Sequence, residues 1–242
     1  MSSIQLIEVY DLQKHFASGF IKKKYKSAVQ SVSFSIEKGE TLGLVGESGC
    51  GKTTVGRMLL RLIEPTAGRI VFDGLDITSL KHAEMRKLRP RMQMIFQDPE
   101  SSLNPRMKIG ESIAEPFRLG LGGRCSRSEI RNQVQELVDI VGLNREHVNR
   151  YPYQLSGGQN QRVVLARILA INPEFIVADE PTAALDVSVQ AQILRLIMDL
   201  KSEFGLTMLF ISHDMEVVKH MSDRIAVMDK GRIVEIKSSK DS

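Results

Sequence analysis

Gly46-Glu47-Ser48-Gly49-Cys50-Gly51-Lys52-Thr53-Thr54 follows the apolar run Leu42-Gly43-Leu44-Val45 and leads into Val55, Leu59 and Leu62, which recur at helical spacing. A strand that ends in a glycine-rich loop and restarts as a helix is a phosphate-binding arrangement. Its glycines let the backbone curl so that successive N–H groups converge on phosphate oxygens. Lys52 neutralises charge there, and the Thr53 hydroxyl can reach a magnesium ion. The chemistry implied is binding of a nucleoside triphosphate.

Upstream of the loop the chain alternates as strands do. Leu6 to Val9, Ala28 to Ile36 and Thr41 to Val45 read as strands, with Val32, Phe34 and Ile36 on one face and a turn at Glu37-Lys38-Gly39-Glu40. Downstream, the helix through Val55, Leu59 and Leu62 is expected to close at Pro65 and Gly68. Arg69 to Phe72 and Met92 to Phe96 are further strands. From about 107 to 170 no strand pattern appears; Ser126 to Val141 reads as a helix and Gly120 to Gly123 as a loop. Beyond it, Phe175 to Ala178 and Thr207 to Ile211 are continuous apolar runs, suited to strands buried on both faces of a parallel sheet. Ile193, Leu196, Ile197 and Leu200 mark a helix between them, and Arg224 to Met228 with Arg232 to Ile236 a final pair around Asp229-Lys230-Gly231. The fold class is α/β with a largely parallel core.

The 242 residues are enough for one substantial core, and 42% hydrophobic with 26% charged residues is ordinary globular composition. No stretch approaches the roughly 18 consecutive apolar residues of a membrane span, and Met1 to Gln5 has no leader pattern, so residence in the cytoplasm is expected unless a partner holds the chain at a membrane. The two cysteines, Cys50 and Cys125, have no metal-ligand spacing. With a net charge of only +4, the one dense basic run, Lys22 to Lys26, reads first as a solvated hairpin tip, with anionic headgroups or nucleic acid as the other readings.

Two further constellations carry chemistry. Phe175-Ile176-Val177-Ala178-Asp179-Glu180 puts two carboxylates at the end of a buried strand. Asp179 is the metal-side acid, and Glu180, one residue on, can face the other way and polarise a water for in-line attack on the γ-phosphorus. Leu155-Ser156-Gly157-Gly158-Gln159 is an anion site in outline: Ser156 can cap the following helix, striped by Val164, Ile168 and Ile171, and two glycines permit close backbone approach to phosphate.

These three elements, in this order, resemble the nucleotide-binding subunit of ATP-binding cassette transporters, and the resemblance spans essentially the whole chain. It implies a single domain with a P-loop NTPase (RecA-like) core, an N-terminal antiparallel β-subdomain and an inserted helical subdomain. The core would take about 1–106 and 171–242, the insert about 107–170. ATP and Mg2+ are the implied cofactors. Gln97, after the Met92 to Phe96 strand, is implied as a metal and water ligand that senses the γ-phosphate. His213, after the Thr207 to Ile211 strand, is implied as the γ-phosphate contact that holds Glu180 and water. Asp186 would cross a subunit interface. An aromatic residue of the first hairpin would stack on adenine; Phe16 fits best, with Tyr10 and Tyr25 as rivals.

Two longer runs, 96–106 and 185–194, look like the dipeptide, oligopeptide and nickel importer ATPases. The resemblance then implies a head-to-tail dimer with a second, identical or sister ATPase, two ATP molecules being sandwiched between them. It also implies two transmembrane permease subunits, an extracytoplasmic binding protein met only indirectly, no nucleic acid, and a peripheral place at the cytoplasmic face of the membrane. A soluble, non-transport ATPase of the same fold is the alternative; the long coiled-coil or zinc insertions of such proteins are not visible. Departures from the pattern are small: Thr54 stands where the loop often continues with another order of Ser and Thr, and Asn160 and Ala184 stand where Gln and Ser are usual. Members of this branch commonly continue past Gly231 to Glu235 into a segment rich in His, Pro and Tyr. Set against that pattern, the ending Lys237 to Ser242 would be that of a short or a truncated member.

Overall fold

The computed structural model describes residues 4–18, 24–121 and 125–241, so Gly122, Gly123 and the first two lysines of the basic run lie outside the described residues. Two compact units form: Met1–Met94, Phe175–Glu180 and Gly205–Ser242 make the first, Ile95–Glu174 and Pro181–Phe204 the second.

In the first unit, β1 (Gln5–Ser18) and β2 (Lys24–Glu37) make a long antiparallel hairpin, extended by β4 (Ala67–Phe72) and β5 (Leu75–Asp76) in the order β2-β1-β4-β5. The second sheet contains β3 (Thr41–Val45), β6 (Met92–Ile95), β7 (Phe175–Asp179), β8 (Thr207–Ser212), β9 (Arg224–Asp229) and β10 (Arg232–Ser238), ordered β10-β9-β3-β8-β7-β6. β3 runs parallel to β8 and β9, and β7 parallel to β8, while β10 returns antiparallel along β9. The continuous apolar character of β3, β7 and β8 follows from burial of every residue in them. One core joins both sheets, with Leu12, Ile36 and Phe72 packed in the same cluster as Leu44, Val55, Phe175 and Ile211. The alternation of Val32, Phe34 and Ile36 places all three in it.

α1 (Lys52–Leu59) follows the loop. It is shorter than the sequence pattern predicts. Arg61 adopts a left-handed φ of 50°, and Leu62 is 45% exposed rather than on the apolar stripe. The stop comes before Pro65 because the guanidinium of Arg89 donates to the carbonyls of Leu60 and Arg61, capping the freed helix end. Two short helices had no clear apolar period to announce them: α2 (His82–Leu88) and α7 (Met215–Met221), the latter capped by the Asp214 carboxylate.

The second unit is helical, with α3 (Ile109–Arg118), α4 (Arg127–Ile140), α5 (Gly157–Leu169) and α6 (Val187–Phe204). Ile113, Phe117, Val134, Val138, Val164, Ile168, Ile193 and Ile197 are among its buried apolar positions. The expected stripe of α5 runs past its end, since Ile171 lies in the turn after Leu169. Arg167 ties α5 to α3 through Glu115 at 2.9 Å and to the carbonyl of Ser102 at 2.7 Å. Among the described residues no helix is long and apolar enough to cross a membrane.

Candidate functional site

The loop from Gly46 to Gly51 leaves a fully buried strand and enters α1 with Gly51 as N-cap at φ 115°, a conformation that strains any L-residue. The loop is braced from outside. The Cys50 carbonyl accepts from Gly231 N–H at 3.0 Å, and the Gly231 carbonyl accepts from Gln30 N–H at 2.7 Å. Gly46 needs its missing side chain for a different reason, since a Cβ there would lie 2.1 Å from the Met228 carbonyl oxygen. Gly46→Ala is therefore expected to cost about 1–3 kcal/mol of stability, because the obstacle is backbone and cannot swing away. An unchanged denaturant midpoint would contradict this packing.

Lys52 is buried at 5% exposure and turns back over the loop, its Nζ donating to the Gly46 carbonyl at 2.7 Å and the Glu47 carbonyl at 2.9 Å. Cys50 is also buried, its Sγ 3.9 Å from Nζ. Thr53 Oγ1 donates to Asp179 Oδ1 at 2.9 Å, which brings together the hydroxyl and carboxylate singled out as metal ligands. Burial pushes the Asp179 carboxyl above its ordinary range, partly offset by the Thr53 hydrogen bond and the charge of Arg57. Arg57 had no motif to point to it, but its place on α1, five residues after Lys52, puts its charge within reach of this carboxylate.

Glu180 has a left-handed φ of 48°, and its N–H donates to the Ile211 carbonyl at 3.0 Å. That twist sends the two carboxylates to different partners. Asp179 points at Thr53, whereas Glu180 Oε1 meets His213 Nδ1 at 3.2 Å. Strain of this kind in a non-glycine residue costs about 1–3 kcal/mol and persists only where surrounding contacts hold it, here the hydrogen bond to the Ile211 carbonyl. His213, with 65% of its side chain exposed, presents the rest of its ring to solvent.

Phe16 is 43% exposed on β1, opposite Lys26 on β2. Two residues further along β2, the Ala28 carbonyl lies 2.4 Å from where a Gly51 Cβ would sit, so this part of the hairpin runs beside the loop. Phe16 has Lys14 Nζ over its ring at 5.1 Å, and of the rivals, Tyr10 has the Arg69 guanidinium over its ring at 4.5 Å and also donates to Glu8 at 2.6 Å. Tyr25 is 69% exposed on β2.

Gln97, Ser156, Gly157, Gly158, Gln159 and Asp186 belong to the second unit, Gln97 just past the end of β6. Ser156 caps α5: its Oγ accepts from Gln159 N–H at 3.3 Å, and Gln159 Oε1 accepts from Ser156 N–H at 2.9 Å. Gly157 and Gly158 have a packing role that the sequence reading missed. A Cβ on Gly158 would lie 2.4 Å from Val189 Cγ1, and one on Gly157 would lie 3.0 Å from Leu185 Cδ2, so the glycines let α5 start directly against the start of α6. Asp186 stands at that junction, its carbonyl accepting from Val189 and Gln190 N–H at 2.9 Å each. Asn160, where Gln is usual in the resembled family, is fully buried and donates to the Pro152 carbonyl at 3.1 Å.

The chain is 51% identical over 242 residues to a putative peptide import ATP-binding protein of Brucella ovis, covering all of this chain and 74% of that protein. It is 50% identical over 235 residues to the oligopeptide transport ATP-binding protein OppF of Bacillus subtilis, covering 96% and 75% respectively. Among solved structures, an ATP-binding cassette in a dimeric post-hydrolysis state bound to ADP and Pi superposes with a TM-score of 0.86 at 30% identity, covering 96% of this chain and 98% of that one. The family model described as ABC transporter matches residues 29–183. That stretch runs from the hairpin through the loop, the Ser156 cap and the Asp179 and Glu180 pair, more than half of the sequence, and the chain belongs to the ABC transporter family.

Proposed function

We propose that this chain is the ATP-hydrolysing subunit of a peptide importer, working as a pair of cassettes beneath two permease subunits at the cytoplasmic face of the membrane. The observation that carries the hydrolytic part is the divergence of Asp179 and Glu180, one onto the Thr53 hydroxyl and the other onto His213. The peptide cargo is carried by likeness to relatives named for peptide and oligopeptide import at about half identity.

The residues fit a magnesium nucleotide. The glycine cradle is closed to side chains at Gly46 and Gly51, and Lys52 donates to carbonyls that an incoming phosphate would replace. Thr53 and Asp179 offer two hard oxygen ligands, and a small dication bound with phosphates and waters needs few more from protein; the family resemblance would add the Gln97 side chain. A magnesium ion held by Thr53 and Asp179 would supply positive charge against the charge that develops on phosphate during transfer. Glu180 takes the proton of the attacking water, and His213 holds the Glu180 carboxylate and the γ-phosphate edge in register. Phe16 stacks on adenine. Ser156 to Gln159 of a second subunit, with Asp186 beside them, close the other face of the nucleotide. The binding protein outside the membrane meets this subunit only through the permease.

Reconstitution with the native permease subunits tests the reading. Peptide uptake that requires both ATP and this chain is expected. Uptake unaffected by omitting the chain would overturn it.

A further inference from the structure

A second concave site lies at the other end of α1. A cleft of about 680 Å³ opens beside the helix C-terminus, lined by Arg61, Arg89, Lys81, His82, Thr66 and Ser79 among others. Its volume is in the range of small-molecule sites. A smaller hollow of about 530 Å³ shares His82 and Arg89 and adds Arg86. Lys14 comes close as well, its Nζ donating to the Glu64 carbonyl at 2.6 Å. Against these cations the one carboxylate in the larger lining is Glu64, 82% exposed at the rim.

Burying like charges together is unfavourable unless something answers them. Arg89 is partly explained, because two of its N–H groups cap the α1 carbonyls of Leu60 and Arg61. That contact also offsets the negative end of the helix dipole, which would otherwise repel an anion here. Arg61 is not explained in this way. Its side chain is 92% buried, its Nε has no hydrogen-bond partner, and its nearest carboxylate oxygen, on Glu64, stands 3.6 Å from Nη2. Loss of water and, after it, the charge of Arg61 push the Arg89 guanidinium below its ordinary value.

We propose that this cleft binds a phosphate-bearing anion, with Arg61 and Arg89 as a planar donor pair and Lys81 and Ser79 closing round it. Guanidinium forks match phosphate geometry, and a phosphate would supply an acceptor for the Arg61 Nε that the protein leaves unpaired. The phosphate can belong to a free small molecule or to a lipid headgroup. Glu64 is the internal competitor, its carboxylate standing where the anion must approach Arg61. The site does not depend on the hydrolytic reading, since its lining contains no residue of the nucleotide loop.

The test uses the full chain with the nucleotide loop filled by a non-hydrolysable ATP analogue, so that added phosphate cannot bind there. Inorganic phosphate is titrated by calorimetry, and flotation is measured with phosphatidylcholine vesicles with and without phosphatidylglycerol. Arg61→Gln is expected to weaken binding about tenfold or more, the loss of one charged hydrogen-bond partner. Glu64→Gln is expected to strengthen it, an opposite change that a folding defect would not produce. Phosphate binding with this pattern assigns a free ligand, and flotation on phosphatidylglycerol alone with this pattern assigns a headgroup. No binding of either probe, or binding that Arg61→Gln leaves unchanged, overturns the proposal.

Discussion

Glu180→Gln is expected to keep ATP affinity while turnover falls by at least about a hundredfold, the usual contribution of a positioned general base. The substitution keeps the size of the side chain and its ability to hydrogen-bond His213, now 3.2 Å away, but removes the proton acceptor. The cradle of Gly46 to Thr54 is untouched, since Lys52, Thr53 and Asp179 make their contacts without Glu180. Single-turnover hydrolysis and equilibrium nucleotide binding, measured on the same preparation, separate the two effects. Wild-type hydrolysis by the variant would remove Glu180 from the mechanism. A matching fall in affinity would instead assign it to binding.

Lys52→Ala should act on binding itself. In the free chain the ammonium donates to the Gly46 and Glu47 carbonyls, so the loop is held in shape by the group that would transfer to phosphate. Removing it deletes a charge-assisted hydrogen bond worth about 1.5–3 kcal/mol and leaves two loop carbonyls without that donor. ATP affinity is expected to fall by about tenfold to a hundredfold. Calorimetry giving the wild-type dissociation constant would contradict the cradle. Together the two substitutions divide the site: one affects capture of the nucleotide, the other its cleavage.

Much of this was legible in the residues because the deciding segments are short and their physics is local. β3, the loop and the start of α1 follow from an apolar run, glycines and a Lys-Thr pair, and β7 ends in its acids where the pattern places them. The end of α1 was not legible, because it is set by Arg89, which is distant in sequence and caps the helix from outside. α2 and α7 were too short and too polar to show a period. The pairing of Thr53 with Asp179 crosses 126 residues and follows from adjacent placement of α1 and β7 in one unit, which spacing alone cannot show. The twist at Glu180 was equally hidden, since a glutamate has no sequence signal for a left-handed φ. Gly157 and Gly158 were read for their closeness to phosphate, but their contacts with Leu185 and Val189 give them a second task in helix packing.

If one chain supplies only half of each nucleotide site, the Glu180→Gln chain should pair when ATP is bound, which sedimentation velocity measures. With ATP the account predicts a dimer, which disappears when nucleotide is withdrawn and when Ser156→Arg is added to block the capped end of α5. A species that stays monomeric with ATP bound, or a dimer indifferent to Ser156→Arg, would contradict it.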